Sequence, residues 1–193
     1  MGNDYEEYLV EDNTSIDIEV SFNKSRMLPR PKIAREGRAN SKGIPMLYAA
    51  DDRDTALAES RPWLGSYISI ATLKLKRELK IVNFRSLDKD FEYFPEESEI
   101  QKRDHAVWKK IDNAFAQPNI RAEENADYSA TQVIAEYFKS KQYDGIAYRS
   151  SLGSGLNVAF FDIDCVEVID LKLFQPEAIK FKFKKLIFPG RPD

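Results

Sequence analysis

The 193-residue sequence predicts an α+β fold. Three observations carry that expectation. Apolar residues alternate with polar ones in several short runs, most clearly at Ile16, Ile18, Val20 and Phe22, which is the period of a half-buried strand. Two longer segments repeat their apolar residues at helical spacing instead. Strands and helices also follow one another without the regular alternation that builds a doubly wound parallel sheet.

Taken in order, residues 1–14 are polar and acidic and read as a loose arm. Ser15–Phe22 is the first strand. Asn23–Pro45 is rich in Arg, Lys, Pro, Gly and Asn and reads as irregular structure. Met46–Ala50 is a short strand. Asp51–Arg61 is a helix, with Asp51 or Asp52 near its start and Pro62 just past its end. Ser66–Leu75 and Leu79–Phe84 follow as strands. Ser98–Ala116 carries Ile100, Val107, Trp108, Ile111 and Phe115 at helical spacing, and Ser129–Lys141 buries Val133, Ile134, Tyr137 and Phe138. Strands are expected at Gly145–Tyr148, Leu156–Phe161 and Val166–Phe174, and a last one at Ile179–Phe188, where Phe alternates with Lys. There is no internal repeat or linker, so residues 1–193 read as a single domain. Within it, the stretch 86–126 reads as a lid or an inserted helix.

Composition limits the function. With 29 basic and 32 acidic residues the formal net charge is -3, which argues against direct nucleic-acid binding. The single cysteine, Cys165, rules out an intrachain disulfide and fits a reducing compartment. Met1–Val10 is acidic and lacks the apolar stretch of a signal peptide, and no apolar run is long enough to span a bilayer. These features predict a cytoplasmic protein with no membrane partner. One histidine and one cysteine cannot form a His/Cys zinc site, and the phosphate-binding glycine motifs are absent. No metal is expected. His105 sits mid-helix among charges, which leaves Ser150 without a credible base for hydrolase chemistry.

Two segments remain informative. The first, GRANSKGIPMLYAADDRDTALAESRP (37–62), puts Arg38 and Asn40 on a glycine-containing loop, Tyr48 on a strand and Glu59 on a helix. A guanidinium can hold phosphate oxygens bidentately, an aromatic face can hold a flat cationic ring, and a carboxylate can stabilise an oxocarbenium-like transition state. Taken singly, each has a plainer reading: a solvated loop charge, a core aromatic, a surface ion-pair partner. Their order on consecutive elements is what points to a site. The second segment, 128–161, runs from a helix through Tyr143-Asp144-Gly145 into a strand ending at Tyr148-Arg149-Ser150-Ser151, then a Gly/Ser loop. Hydroxyls at a strand end beside a flexible loop suit contacts to a sugar or phosphate. A polar hairpin connection is the plainer reading.

Together these segments resemble the RES domain family. The residues that carry the resemblance are Gly37-Arg38-Ala39-Asn40, Gly43, Leu47-Tyr48, Ala56 with Glu59, Thr131 to Tyr137, Asp144-Gly145-Ile146, Tyr148 with Ser150, and Asn157 with Phe160. The resemblance implies an ADP-ribosyltransferase-like mixed β core with flanking helices, and a toxin-type enzyme that consumes NAD⁺ as substrate and needs no cofactor. It also implies an Xre-like antitoxin as protein partner. On it, Glu59 is the catalytic carboxylate, Arg38 holds the NAD⁺ phosphates and Tyr48 packs on the nicotinamide. Asn40, Ser150 (or its neighbour Ser151) and Asn157 complete the NAD⁺ contacts. An arginine on the first strand, common in the family, is missing: Arg26 and Arg30 lie after that strand.

The expected reaction is cleavage of the nicotinamide–ribose bond by hydrolysis or phosphorolysis. Two rivals stand beside it, an ADP-ribosyltransferase acting on one specific protein and a catalytically silent domain that binds NAD⁺ or a partner. The sequence does not choose the acceptor or the oligomeric state.

Overall fold

A computed structural model describes residues 4–9, 15–85, 99–117, 128–180 and 183. Strand β1 (Asp4–Leu9) pairs antiparallel with β2 (Ser15–Val20), from Asp4 opposite Val20 to Leu9 opposite Ser15. This corrects the expectation of a loose arm. DYEEYL has too little apolar alternation to signal a strand, and the ladder to β2 supplies its backbone partners instead. Strand β2 ends before Phe22, whose N–H is turned toward Ser69 Oγ at 2.9 Å.

The centre is a four-stranded sheet in the order β3-β7-β6-β5, built from β3 (Leu47–Ala50), β5 (Ile81–Asn83), β6 (Gly145–Arg149) and β7 (Leu156–Phe160). β5 runs parallel to β6, and the other pairs are antiparallel. A separate two-stranded sheet pairs β4 (Ile68–Leu75) with β8 (Val166–Phe174), with a register shift between Thr72 and Leu73. Helices α1 (Arg53–Glu59), α2 (Glu99–Ala116) and α3 (Ser129–Ser140) complete the mixed arrangement. The fold is α+β.

Both faces of the four-stranded sheet are covered. On one, Ile146, Tyr148 and Ala159 pack with Phe84, Phe115, Ala135 and Phe138. Phe84 lies 5.2 Å from Phe115 and 5.8 Å from Phe138, centroid to centroid. On the other, Leu47 and Phe160 meet Cys165, Val166 and Leu73. Burial on both sides explains why Gly145–Tyr148 is apolar without a break rather than alternating. Gly145 has a further reason: a Cβ there would lie 2.5 Å from the Ala159 carbonyl oxygen.

Within the 86–126 stretch, Trp108, Ile111 and Phe115 of α2 pack on the core. Residues 86–98 and 118–126 lie outside the described residues. Of the expected tail strand, Ile179, Lys180 and Phe183 are described and are not in a strand. Phe183 is 87% exposed, so its alternation with lysine does not mark a buried sheet face. The rest of that segment lies outside the described residues. No helix among the described residues is long and apolar enough to cross a membrane.

Candidate active site

The site starts with the short helix α1. Asp52 caps it: Oδ1 accepts from Thr55 N at 2.8 Å and Oδ2 from Thr55 Oγ1 at 2.7 Å. These bonds hold the Asp52 carboxyl below the usual range. Nine residues on, Arg61 adopts a left-handed backbone (φ 49°) and Pro62 prevents further helix, so Glu59 falls on the last helical residue. Its Oε1 accepts from Ser150 Oγ at 2.6 Å and from Asn157 Nδ2 at 2.7 Å. Among the described residues, its Oε2 takes no hydrogen bond.

Ser150 is itself fixed. Its Oγ accepts from Leu152 N at 3.0 Å and Gly153 N at 2.8 Å, so its proton is left for Glu59. The following loop is latched to the start of α1. Gly155 N donates to Thr55 Oγ1 at 3.0 Å, Leu156 N to Asp51 Oδ1 at 2.8 Å, and Asp51 N to the Leu156 carbonyl at 3.0 Å. Of the two serines, Ser150 meets Glu59, while Ser151 is exposed. Just upstream, Arg149 is held by α2: Asp112 Oδ1 accepts from its backbone N at 3.2 Å, Asp112 Oδ2 from its Nε, and Asn113 Oδ1 from its Nη2 at 2.6 Å.

Arg38 rides on a tight turn closed by Gly37 N to the Asn40 carbonyl at 2.9 Å. Its Nη1 and Nη2 donate to the carbonyls of Phe115 and Gln117. These oxygens are at the C-terminal end of α2, where carbonyls lack helical partners and a cation is favoured. The guanidinium has five N–H donors, so this anchorage leaves others for a ligand.

Tyr48 and Asn40 form one unit. The Tyr48 hydroxyl donates to Asn40 Oδ1 at 2.7 Å and accepts from Ala39 N at 3.0 Å. Asn40 Nδ2 donates to the carbonyls of Ile44, Arg35 and Ser41 at 2.8, 2.9 and 3.2 Å. Tyr48 keeps 40% of its surface exposed, because its ring is open while its hydroxyl end is enclosed. That burial pushes the hydroxyl up to about 12, against the opposing pull of the Ala39 N–H and of Arg38. Gly37 is needed beside it, since a Cβ there would lie 2.5 Å from the Tyr48 oxygen.

A cleft of about 970 Å³ runs along the open edge of β3, facing Ile68–Leu73 of β4. Its wall includes Arg38, Tyr48, Glu59, Tyr148 and Asn157, and the further cations Arg53, Arg61 and Lys172. The structure therefore brings four of the expected residues, Arg38, Tyr48, Glu59 and Asn157, to one cavity. Asn40 and Ser150 are not on its wall: Asn40 braces Tyr48 and Ser150 braces Glu59. Arg30, the upstream candidate, lines a separate pocket with Arg26 and Arg35.

Sequence reasoning missed several supporting groups. Asp112 gave no signal, because one carboxylate on a charged helix looks like any other. Gln132 on α3 donates to Glu36 Oε1 at 2.9 Å and to the Gly37 and Asn40 carbonyls at 3.1 Å, clamping the arginine loop. The Asp52–Thr55 cap was readable as an aspartate three residues before a threonine. Among the described residues, no group of three His, Cys, Asp or Glu could hold a metal ion.

An α+β fold with a carboxylate, an anchored guanidinium and an open aromatic face along one cleft defines a candidate small-ligand enzyme. The family model of the RES domain matches residues 19–182 of the chain, and the chain belongs to the RES domain family. Among curated proteins, none matches the chain.

Proposed function

We propose that the chain binds NAD⁺ in the β3–β4 cleft and breaks its nicotinamide–ribose bond. The observation that carries this reading is Glu59, on the cleft wall, with one carboxylate oxygen fixed by Ser150 and Asn157 and the other without a hydrogen bond among the described residues. As the bond lengthens, positive charge grows on the ribose C1′ and its ring oxygen, and a fixed carboxylate opposes it. Nicotinamide takes the bonding electrons and departs neutral, so no strong acid is required. With water as acceptor the products are nicotinamide, ADP-ribose and a proton; with phosphate, the phosphorylated sugar replaces ADP-ribose.

Arg38, braced from behind by α2, supplies donors to the pyrophosphate, and the open Tyr48 ring supplies a face for nicotinamide. The wall carries Arg38, Arg53, Arg61 and Lys172 beside Glu36, Asp51, Asp52 and Glu59, which suits a ligand of both signs, an anionic pyrophosphate joined to a cationic nicotinamide. The two sheets around one cleft support an ADP-ribosyltransferase-like reading of the fold. Family membership supports a toxin-type role in the cytoplasm with an Xre-like antitoxin as partner.

Incubating the purified protein with NAD⁺ and following nicotinamide tests the proposal. Release of nicotinamide is expected, whereas a silent binding domain would release none. One observation favours a second reading, transfer to a protein. Trp63 and Leu64 are 55% and 60% exposed on the turn between Arg61 and Ile68, two residues of the cleft wall. Labelled NAD⁺ mixed with lysate would then leave a labelled protein band.

A further inference from the structure

We infer that Tyr148 contacts the substrate, its hydroxyl forming a hydrogen-bonding subsite for the ribose–phosphate part of a nucleotide in the cleft. This rests on the NAD⁺ reading above. Tyr148 lies on β6 opposite Asn157, with its ring 5.3 Å from that of Phe115. Only 4% of its surface is exposed, yet it is part of the cleft wall. Among the described residues nothing hydrogen-bonds its hydroxyl.

Its ring is buried, while the hydroxyl oxygen keeps access to the cleft, and a phenylalanine would fill the same place without offering a polar group there. The position therefore points to a partner that arrives with the ligand. The hydroxyl interacts electrostatically with Tyr48, Arg38, Glu59 and Tyr128, which places it among the phosphate-binding cation, the ring platform and the carboxylate. Burial keeps its proton on well beyond the usual tyrosine range, so it meets the ligand neutral, as donor or acceptor. Tyr48 differs, because its hydroxyl is already committed to Asn40 and Ala39. The two tyrosines divide the work: Tyr48 offers a face and Tyr148 offers an oxygen.

The test is calorimetric binding of ADP-ribose to the wild-type chain and to Tyr148→Phe. Affinity is expected to fall roughly tenfold with the melting temperature unchanged, since the substitution breaks no internal bond. Equal affinity in the two proteins would overturn the subsite. A second measurement does not depend on the variant: in fluorotyrosine-labelled wild-type protein, the Tyr148 resonance should move on adding ADP-ribose, and a silent resonance also overturns it. If wild type binds ADP-ribose through Tyr148 but releases no nicotinamide from NAD⁺, the subsite stands and the reaction falls. If it binds no ADP-ribose, both fall.

Discussion

Ser150 donates its hydroxyl proton to Glu59 Oε1 at 2.6 Å, across 91 residues of sequence. The serine accepts two backbone N–H bonds in its own turn, so it has one direction left in which to donate. Ser150 thus orients the carboxylate, and the contact passes through Glu59. Ser150→Ala should lower kcat by about a hundredfold, the cost of a reacting group misplaced by an ångström, while KM for NAD⁺ changes little. A raised KM with normal kcat would instead mean direct contact with substrate.

Glu59→Gln keeps the shape and can still accept from Ser150 and Asn157 through its amide oxygen. It removes the charge that opposes the growing cation. NAD⁺ consumption should be abolished with the melting curve preserved. Wild-type turnover in the folded variant would remove Glu59 from the mechanism.

Arg38 has two tasks, so its removal should register twice. Arg38→Ala loses the proposed phosphate contact and uncaps the end of α2. KM should rise at least tenfold, and the melting temperature should drop as well. Arg38→Lys separates these effects, because one ammonium cannot span the Phe115 and Gln117 carbonyls as a fork does. It should recover part of the binding and little of the melting temperature. An Arg38→Ala protein as stable as wild type would show that the α2 anchorage contributes nothing.

Gly37→Ala adds a single methyl group against the Tyr48 oxygen and Asn40 Oδ1. Either the turn or the tyrosine must move, at a cost of about 1–3 kcal/mol. Urea unfolding should show a lower midpoint with an unchanged slope. A variant with wild-type stability would mean that the turn yields freely.

Tyr48 holds its proton more tightly in the folded chain than in the unfolded one, with its value pushed from 10.0 up to about 12. The sign follows: its contribution to stability is complete below pH 10, shrinks as pH rises from there, and is gone above about pH 12. An alkaline titration followed by tyrosinate absorbance should show late-ionising groups among the nine tyrosines, coincident with unfolding. Ionisation of all nine together near pH 10 would contradict the burial of the Tyr48 hydroxyl.

Much of this architecture was readable from the chain, and the gaps have physical causes. Alternation located β2, β4 and β8, and the spacing of Trp108, Ile111 and Phe115 located α2, because each pattern records burial on one face. Strand β1 escaped because its signal is a backbone ladder to β2, which side-chain chemistry does not encode. The grouping of Arg38, Tyr48 and Glu59 was expected from their order, and Asn157 from the family resemblance. The bracing roles of Asn40 and Ser150 were not, since both residue types suit ligand contact equally well. Arg38 shows the limit most clearly: its partners are main-chain carbonyls, and a carbonyl looks the same under every residue.

The distance along the chain between Glu59 and its braces has a consequence in time. Asn157 is made 98 residues after Glu59. At synthesis rates of about 5–20 residues per second, this leaves an interval of roughly 5–20 s. During it the nascent chain already carries the arginine, the tyrosine and the glutamate, but not the groups that aim the carboxylate. A ribosome-bound intermediate therefore holds the three groups without their braces, and on the proposed reading NAD⁺ cleavage waits until β7 has been made and has joined the sheet.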